Sequence, residues 1–277
     1  MKKENSILPI SIIVCTFNEE KNILDCINSI INNNIDEIII VDGNSKDNTV
    51  GLINNLRNNK IKVFKLDYGN LIEQRYIGAS KSKNELIGFV DADDRLEPDC
   101  FLKLNNEMIN YKASSVTAEV NSCKSLNYWQ KNWGKFTKLR KGIKYTNTTG
   151  RPCLMKKSNL LSINLDKQFS FAMEDTFISI ELEKKGYVQL QGTGISRRIF
   201  PDNFNEIKKK LIVYGKGYRQ IINKYPEKKK NIYIHIFYKI LIKNNLIFLF
   251  RLDLFAVLFN LIYFYFCFIG FYNSNKN

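Results

Sequence analysis

The sequence predicts an α/β protein, an open parallel sheet followed by a C-terminal hydrophobic membrane helix region. Three observations predict it. Short apolar runs alternate with stretches of helical periodicity through the first half of the 277 residues, which is the signature of right-handed βαβ units. Two of those runs stop abruptly on aspartate, at Asp42 and Asp91, and in such a sheet ligands bind just beyond the carboxyl ends of the strands. Leu254–Tyr272 then runs nineteen residues without a charge; as a helix it would measure ~29 Å, close to the ~30 Å hydrocarbon core of a bilayer.

Taken in order, Ile10–Val14 reads as the first strand, unbroken because both of its faces are covered. A loop, Cys15–Glu20, follows, and Asn18 reads as the cap of a helix reaching to about Asn32, with Ile23, Leu24, Ile27, Ile30 and Ile31 at helical spacing. The second strand is Glu37–Val41, and Gly43–Thr49 is dense in turn formers, with Asp47 capping the next helix. Thr49–Leu56 as helix, Ile61–Leu66 as strand and Leu71–Ser80 as helix continue the alternation. Leu86–Val90 is the next strand, and Pro98 opens a helix to Tyr111, where its missing N–H costs nothing. Ser114–Val120 is a strand. In Lys124–Leu139 the residues Tyr128, Trp129, Trp133 and Phe136 share one helical face, either an ordinary core face or an acceptor-side or membrane-facing surface.

Lys141–Arg151 reads as a mobile loop, and Phe169–Gly186 as a loop entering a helix. Glu174 and Asp175 sit at that helix's N-terminus, where the dipole favours negative charge, and Gly186 suits its C-terminal cap. Tyr187–Gln191 is a short strand. Phe204–Ile222 follows as a helix with a basic face of Lys208, Lys209, Lys210 and Lys216, and Lys224–Lys230 as a charged link. Ile232–Phe250 is apolar but interrupted by His235, Lys239, Lys243, Asn244 and Asn245, an interfacial pattern in which lysines snorkel toward headgroups.

Composition narrows the function classes. An apolar content of 44% supports a packed core, and the start, MKKENSILP, has no apolar run of signal-peptide length. Six cysteines without a CxxC pair read as reduced, and His235 is the only histidine, which argues against His-dependent triads and His metal clusters. The net charge of +15 raises nucleic acid or an anionic membrane as partner. The basic runs precede the apolar C-terminus, which favours the membrane, and no stacking platform or groove-reading motif points to nucleic acid.

Asp91, Asp93 and Asp94 place three carboxylates in four positions at a strand end. Such a cluster is costly unless a cation shares it, and a divalent ion carrying a diphosphate is the natural partner. The plain alternative is a solvated acidic turn. Asp94 reads either as a ligand or as a cap.

Four stretches, VCTFNEE (14–20), VDGNSKDNT (41–49), FVDADDRLEPD (89–99) and MEDTFISIELEKKGY (173–187), together resemble the family 2 glycosyltransferases, nucleotide-sugar enzymes of the Rossmann-like GT-A fold. The resemblance covers roughly residues 8–195 and implies roles position by position. Thr16 and Phe17 would hold base and ribose, Phe17 replacing a common Tyr; Glu19 shares their loop. Asp42 would bind the base, with Gly43 where many members carry a second acid. Arg75 would lie near the phosphates. Asp91 and Asp93 match the DxD pair that holds Mg²⁺ or Mn²⁺ on the diphosphate, and Asp175 matches the acidic general base of inverting members. The QxxRW signature of processive synthases is absent, Arg197-Arg198 not being that motif, so the resemblance implies a hexosyltransferase moving one sugar.

The domain organisation expected is a catalytic domain over 1–200, a basic helical linker over 201–231 and a membrane-associated region over 232–277, with a transmembrane helix at 254–272 as first choice and a monotopic hairpin as second. Basic residues before the apolar segment put the catalytic domain at the cytoplasmic face. The expected partners are a UDP- or GDP-linked sugar donor, a lipid-linked or membrane-proximal glycan acceptor and the membrane, with no nucleic acid. The competing expectation is a membrane-tethered nucleotide-sugar binding protein without transferase activity, which would not need Asp175.

Overall fold

The computed structural model describes residues 7–123, 127–137, 142–146, 150–164 and 172–274. Its chain forms two compact units, one comprising 1–123, 137–170 and 175–199, the other 124–136, 171–174 and 200–277.

The elements run β1 (Leu8–Thr16), α1 (Ile23–Ile31), β2 (Ile35–Asp42), α2 (Thr49–Asn55), β3 (Ile61–Lys65), α3 (Leu71–Lys81), β4 (Leu86–Asp91), β5 (Asp94–Leu96), α4 (Cys100–Asn110), β6 (Ser115–Ser122) and α5 (Tyr128–Thr137). There follow β7 (Lys144–Tyr145), β8 (Cys153–Lys156), α6 (Lys157–Leu161), α7 (Glu174–Lys184), β9 (Gln189–Arg198) and α8 (Phe204–Lys224). Among the described residues the strands make one sheet in the order β3-β2-β1-β4-β8-β6-β9-β5, with β7 on β9. β1 pairs in parallel with both β2 and β4, so the chain winds outward in two directions from β1. A crevice forms at such a reversal, and it is where ligands bind in sheets of this kind.

The period of two along β1 decides its packing. Ile10, Ile12 and Val14 join Ile23, Ile27 and Ile30 of α1 and Ile38 and Ile40 of β2 in one apolar cluster. Ile13 faces the other way, toward Gly78 of α3. Each of these isoleucines is fully buried, worth roughly 1.5–3 kcal/mol apiece against exposure.

Several expectations shift. Asn18 is not a helix cap: it adopts a left-handed φ of 57° and ties two loops together, its N–H donating to Ser45 Oγ and its Oδ1 accepting from Lys46 N. α1 starts five residues later, at Ile23. Pro98 lies in a turn, and α4 begins at Cys100. β9 is ten residues long and ends at Arg198, well beyond the short strand expected over Tyr187–Gln191. β5, β7 and β8 are too short or too irregular for periodicity to find; their partners elsewhere in the chain make them strands. The expected loops over 141–151 and 169–173 fall partly outside the described residues.

In the second unit Trp129 and Trp133 of α5 pack against other aromatic rings, while the Phe136 side chain lies outside the described residues. Trp133 is only 7% exposed and lies against Tyr214, Phe259 and Tyr263, while Trp129 meets Phe204 and Phe259. The helix Pro226–Phe250 is followed by a last helix, Leu254–Asn273, both long and apolar enough to cross a membrane. The last helix lies against the first: Tyr233 contacts Phe271, and Phe237 contacts Phe264 and Phe268. Asn260 donates to the Ile240 carbonyl and to Asn245 Oδ1, at the end of a π-helical stretch, Ile234–Asn244. A side chain set into the helical ladder in this way satisfies a carbonyl that the wider turn exposes.

On its other side the last helix closes onto α8 at two glycines. A Cβ on Gly215 would stand 2.0 Å from the Cys267 carbonyl oxygen, and one on Gly270 would stand 2.0 Å from that of Ile212. Backbone cannot give way as a flexible side chain does, so Gly215→Leu is expected to destabilise this unit by at least about 3 kcal/mol, the upper part of the range for overpacking. A fall in the melting temperature of the detergent-solubilised protein measures it; an unchanged value would count against this close crossing.

Candidate active site

The strand register builds the site's first half. Thr16 pairs with Asp42 across β1–β2, and Cys15 pairs with Asp91 across β1–β4. Both acids therefore reach the same rim at adjacent strand ends. Asp42 is buried, and its Oδ1 accepts from Thr16 Oγ1 at 2.9 Å and Ser45 Oγ at 2.5 Å, while Oδ2 accepts from Ser45 N at 2.9 Å. A carboxylate has about four lone-pair sites, and among the described residues three of those on Asp42 carry these bonds.

The neighbouring loops are drawn in tightly. Gln74 donates to the Thr16 and Val41 carbonyls, and a Cβ on Gly43 would sit 2.9 Å from the Gly69 Cα. Phe17 and Tyr68 remain 55% and 59% exposed beside this rim, flat apolar faces of the kind on which a heterocyclic base stacks. Glu19 holds its loop in shape: its N–H donates to Thr49 Oγ1 and its carboxylate accepts from Asn22.

The second half is the acidic cluster, and it is not a solvated turn. Asp91, Asp93 and Asp94 bring carboxylate oxygens within 4.8 Å of one another. Arg198 lies among them, 2.6 Å from Asp94, 3.0 Å from Asp91 and 3.6 Å from Asp93. β5 and β9 run antiparallel with Asp94 directly opposite Arg198, which is why these side chains meet. Ser196 adds a hydrogen bond to Asp94, and the Arg151 carbonyl accepts from Arg198. Arg75, expected near the phosphates, is 1% exposed and donates to Asp91 Oδ1 at 3.2 Å, so it stands behind Asp91 and holds it. The guanidiniums of Arg75 and Arg151 both lie over the Phe89 ring, at 5.3 and 5.1 Å.

This crowd of charges splits the carboxylates. Burial alone would raise Asp91, but Arg198, Arg75 and Arg151 overturn it and hold the group at about 2. Burial pushes Asp94 up to about 6, against the pull of Arg198 and with Asp93 and Asp91 adding to the rise. The three acids hold Arg198 well above its ordinary value in spite of its burial. Asp94 is thus neither a simple cap nor an open ligand but the anchor of Arg198. Asp94→Ala is expected to cost about 3 kcal/mol, the low end for breaking a buried ion pair, because Arg198 keeps Asp91. Thermal unfolding checks this, and a loss below about 1 kcal/mol would contradict it.

Asp91 and Asp93 are the residues that would hold a divalent cation, in exchange for guanidinium contacts now made to them. Asp91 and Asp93 offer hard oxygens, and Asp93 Oδ1 is a buried atom without a hydrogen-bond partner among the described residues. Asp175 lies in the first turn of α7, half-buried, and accepts from Thr176 N and Thr176 Oγ1. These bonds stay within its own turn; none joins it to the acidic cluster. Arg151 and Arg198 carried no signal in the sequence: Arg151 stands just before β8, which pairs with β4 from more than sixty residues away, and Arg198 ends β9, opposite Asp94 from more than a hundred.

The profile of glycosyl transferase family 2 matches residues 11–159, more than half of the chain, and a second profile, glycosyl transferase family group 2, matches residues 86–275. The chain belongs to glycosyl transferase family 2. Its sheet is that of the GT-A fold, as three similar solved structures agree. TarS 1–349 of S. aureus superposes with a TM-score of 0.55 at 17% identity, over 78% of this chain and 66% of that one. The same protein in complex with UDP-GlcNAc gives 0.53 at 16%, over 78% and 67%. GalNAc-T7 with UDP, GalNAc and Mn²⁺ gives 0.58 at 14%, over 80% of this chain and 52% of that one. At these identities the likeness concerns the fold. No curated protein matches the chain.

Proposed function

We propose that this family 2 member transfers a single sugar from a UDP- or GDP-linked donor to a lipid-linked or membrane-proximal glycan acceptor, with inversion, at the cytoplasmic face of a membrane. The observation that carries the proposal is the convergence of Thr16, Asp42 and Asp91 on one rim at the reversal of strand order. Phe17 would stack the base, and Asp42, braced by Thr16 and Ser45, would take its ring N–H. Arg75 would keep Asp91 ionised and aimed at the diphosphate side. Asp91 and Asp93 would hold Mg²⁺ or Mn²⁺, which supplies neutralisation of the charge that grows on a departing diphosphate, an effect of several kcal/mol. Asp175, a carboxylate held by its own turn, would accept the proton of the acceptor hydroxyl as that oxygen attacks the anomeric carbon. The UDP-GlcNAc of the TarS complex and the UDP of the GalNAc-T7 complex support a uridine donor first, guanosine second.

The membrane part of the proposal rests on the second unit. Leu254, Leu258, Leu261, Tyr265, Phe268 and Tyr272 form one exposed apolar stripe along the last helix, and such a stripe marks a membrane or partner surface. Pro226–Phe250 runs beside the last helix, with Phe237 on Phe264 and Asn260 on Ile240, so the two helices would enter the membrane together. That favours the monotopic hairpin over a single span, with Lys239 and Lys243 at the headgroups.

A donor screen tests the function: the full chain in detergent, membrane lipid extract as acceptor, and UDP or GDP release scored with and without Mn²⁺. Release of one nucleotide that needs both the extract and the ion supports the proposal. Sugar transfer only to soluble acceptors would overturn the acceptor class, and nucleotide binding without any release would favour the tethered binding protein.

A further inference from the structure

Arg198 already does for the acidic cluster what a metal ion would do. It bonds Asp94 through two nitrogens, at 2.6 and 3.0 Å, reaches Asp91 at 3.0 Å and stands 3.6 Å from Asp93. With Arg75 on Asp91 and the Arg151 guanidinium nearby, three guanidiniums face three carboxylates. The cluster is therefore near charge balance without any ion. A divalent cation entering by itself brings two uncompensated positive charges and must displace Arg198 from the carboxylate oxygens it needs. A cation entering with a diphosphate is offset by the negative charges of the phosphates, and the displaced fork of Arg198 gains phosphate oxygens that match its planar donors.

We propose that Arg198 is a positioning residue that makes divalent-ion binding and nucleotide binding mutually dependent, by acting as the resident cation of the site until both arrive. The proposal rests on the metal and nucleotide sites assigned above. By linkage, whatever factor the nucleotide contributes to ion affinity the ion contributes to nucleotide affinity. Asp94 is the anchor from which Arg198 works: wholly buried, and paired with it across β5–β9, it holds the arginine at the site while Asp91 and Asp93 are released.

The test measures Mn²⁺ binding to the full chain in detergent by the electron paramagnetic resonance of free Mn²⁺, without nucleotide and with UDP or GDP. In the native protein the better nucleotide is expected to tighten Mn²⁺ binding by about thirtyfold, near the middle of the usual range of coupling between sites. Arg198→Gln is expected to tighten Mn²⁺ binding in the absence of nucleotide by about tenfold and to reduce the coupling to a few-fold. Arg198→Lys, which keeps the charge but not the fork, should retain weak binding of the lone ion with reduced coupling. If Arg198→Gln fails to fold, the neutral double variant Asp94→Asn/Arg198→Gln is read against the same expectations.

Unchanged Mn²⁺ affinity in the glutamine variant, with the native protein still binding Mn²⁺ in the presence of nucleotide, overturns the role of Arg198 alone. Failure of the native protein to bind Mn²⁺ with either nucleotide overturns the metal site as well. A merely structural arginine would change stability and leave the coupling factor where it was.

Discussion

Asp93→Asn is expected to lower kcat/KM about a thousandfold while leaving the melting temperature within about 2 °C of the native value. The two halves of that result come from different places. Asp93 is 24% exposed, its one ion pair among the described residues is the long 3.6 Å contact to Arg198, and Arg198 keeps Asp94 and Asp91 when Asp93 is neutralised. A partly exposed contact of that length is worth little to stability. Its chemical role in the proposed site is large, since a bound cation contributes several kcal/mol at the transition state and each 1.36 kcal/mol is about tenfold in rate. Steady-state kinetics alongside thermal unfolding reads both numbers. Activity within tenfold of native would remove Asp93 from the site, and a large drop in melting temperature would recast it as a structural acid.

Asp175→Asn is expected to reduce kcat by about 10²–10⁴-fold, the usual contribution of a positioned general base, with donor KM and UDP affinity changed less than about threefold. The amide keeps the shape and can still accept from Thr176 N, so the first turn of α7 should stand. What it loses is the capacity to take a proton. Measuring UDP release and UDP binding on the same preparation separates the two quantities. A variant that turns over at the native rate would leave Asp175 as a helix-terminal charge and reopen the question of the base.

The parallel half of the sheet was legible because each of its strands carries its own signal. Ile10–Val14 and Leu86–Val90 are apolar runs that end on punctuating loops, and α1 advertises its buried face through Ile23, Ile27 and Ile30. In the other half β6 was legible over Ser114–Val120 and β9 only at its start, while β5, β7 and β8 were not. β5 is three residues of mixed character, and only its pairing with β9 makes it a strand. The aromatic face of α5 was legible as a face, but what covers it, Phe204, Tyr214, Phe259 and Tyr263, comes from the far end of the chain.

By itself the sequence determined that Asp42 and Asp91 stand at the carboxyl ends of two strands, on one rim of a parallel sheet, and that the C-terminus is too apolar to be left in water. Both are local facts: a strand ends where its apolar run ends, and hydropathy is a property of consecutive residues. Only the tertiary structure decided that a guanidinium from a strand more than a hundred residues away lies among the three aspartates, and that the last helix packs against α5, α8 and the helix before it. Arg198 is one of 42 basic residues in the sequence, and nothing local distinguishes it. Sheet register, which is set by side chains on both strands at once, brings it opposite Asp94, and the cost of burying that carboxylate without a partner keeps it there.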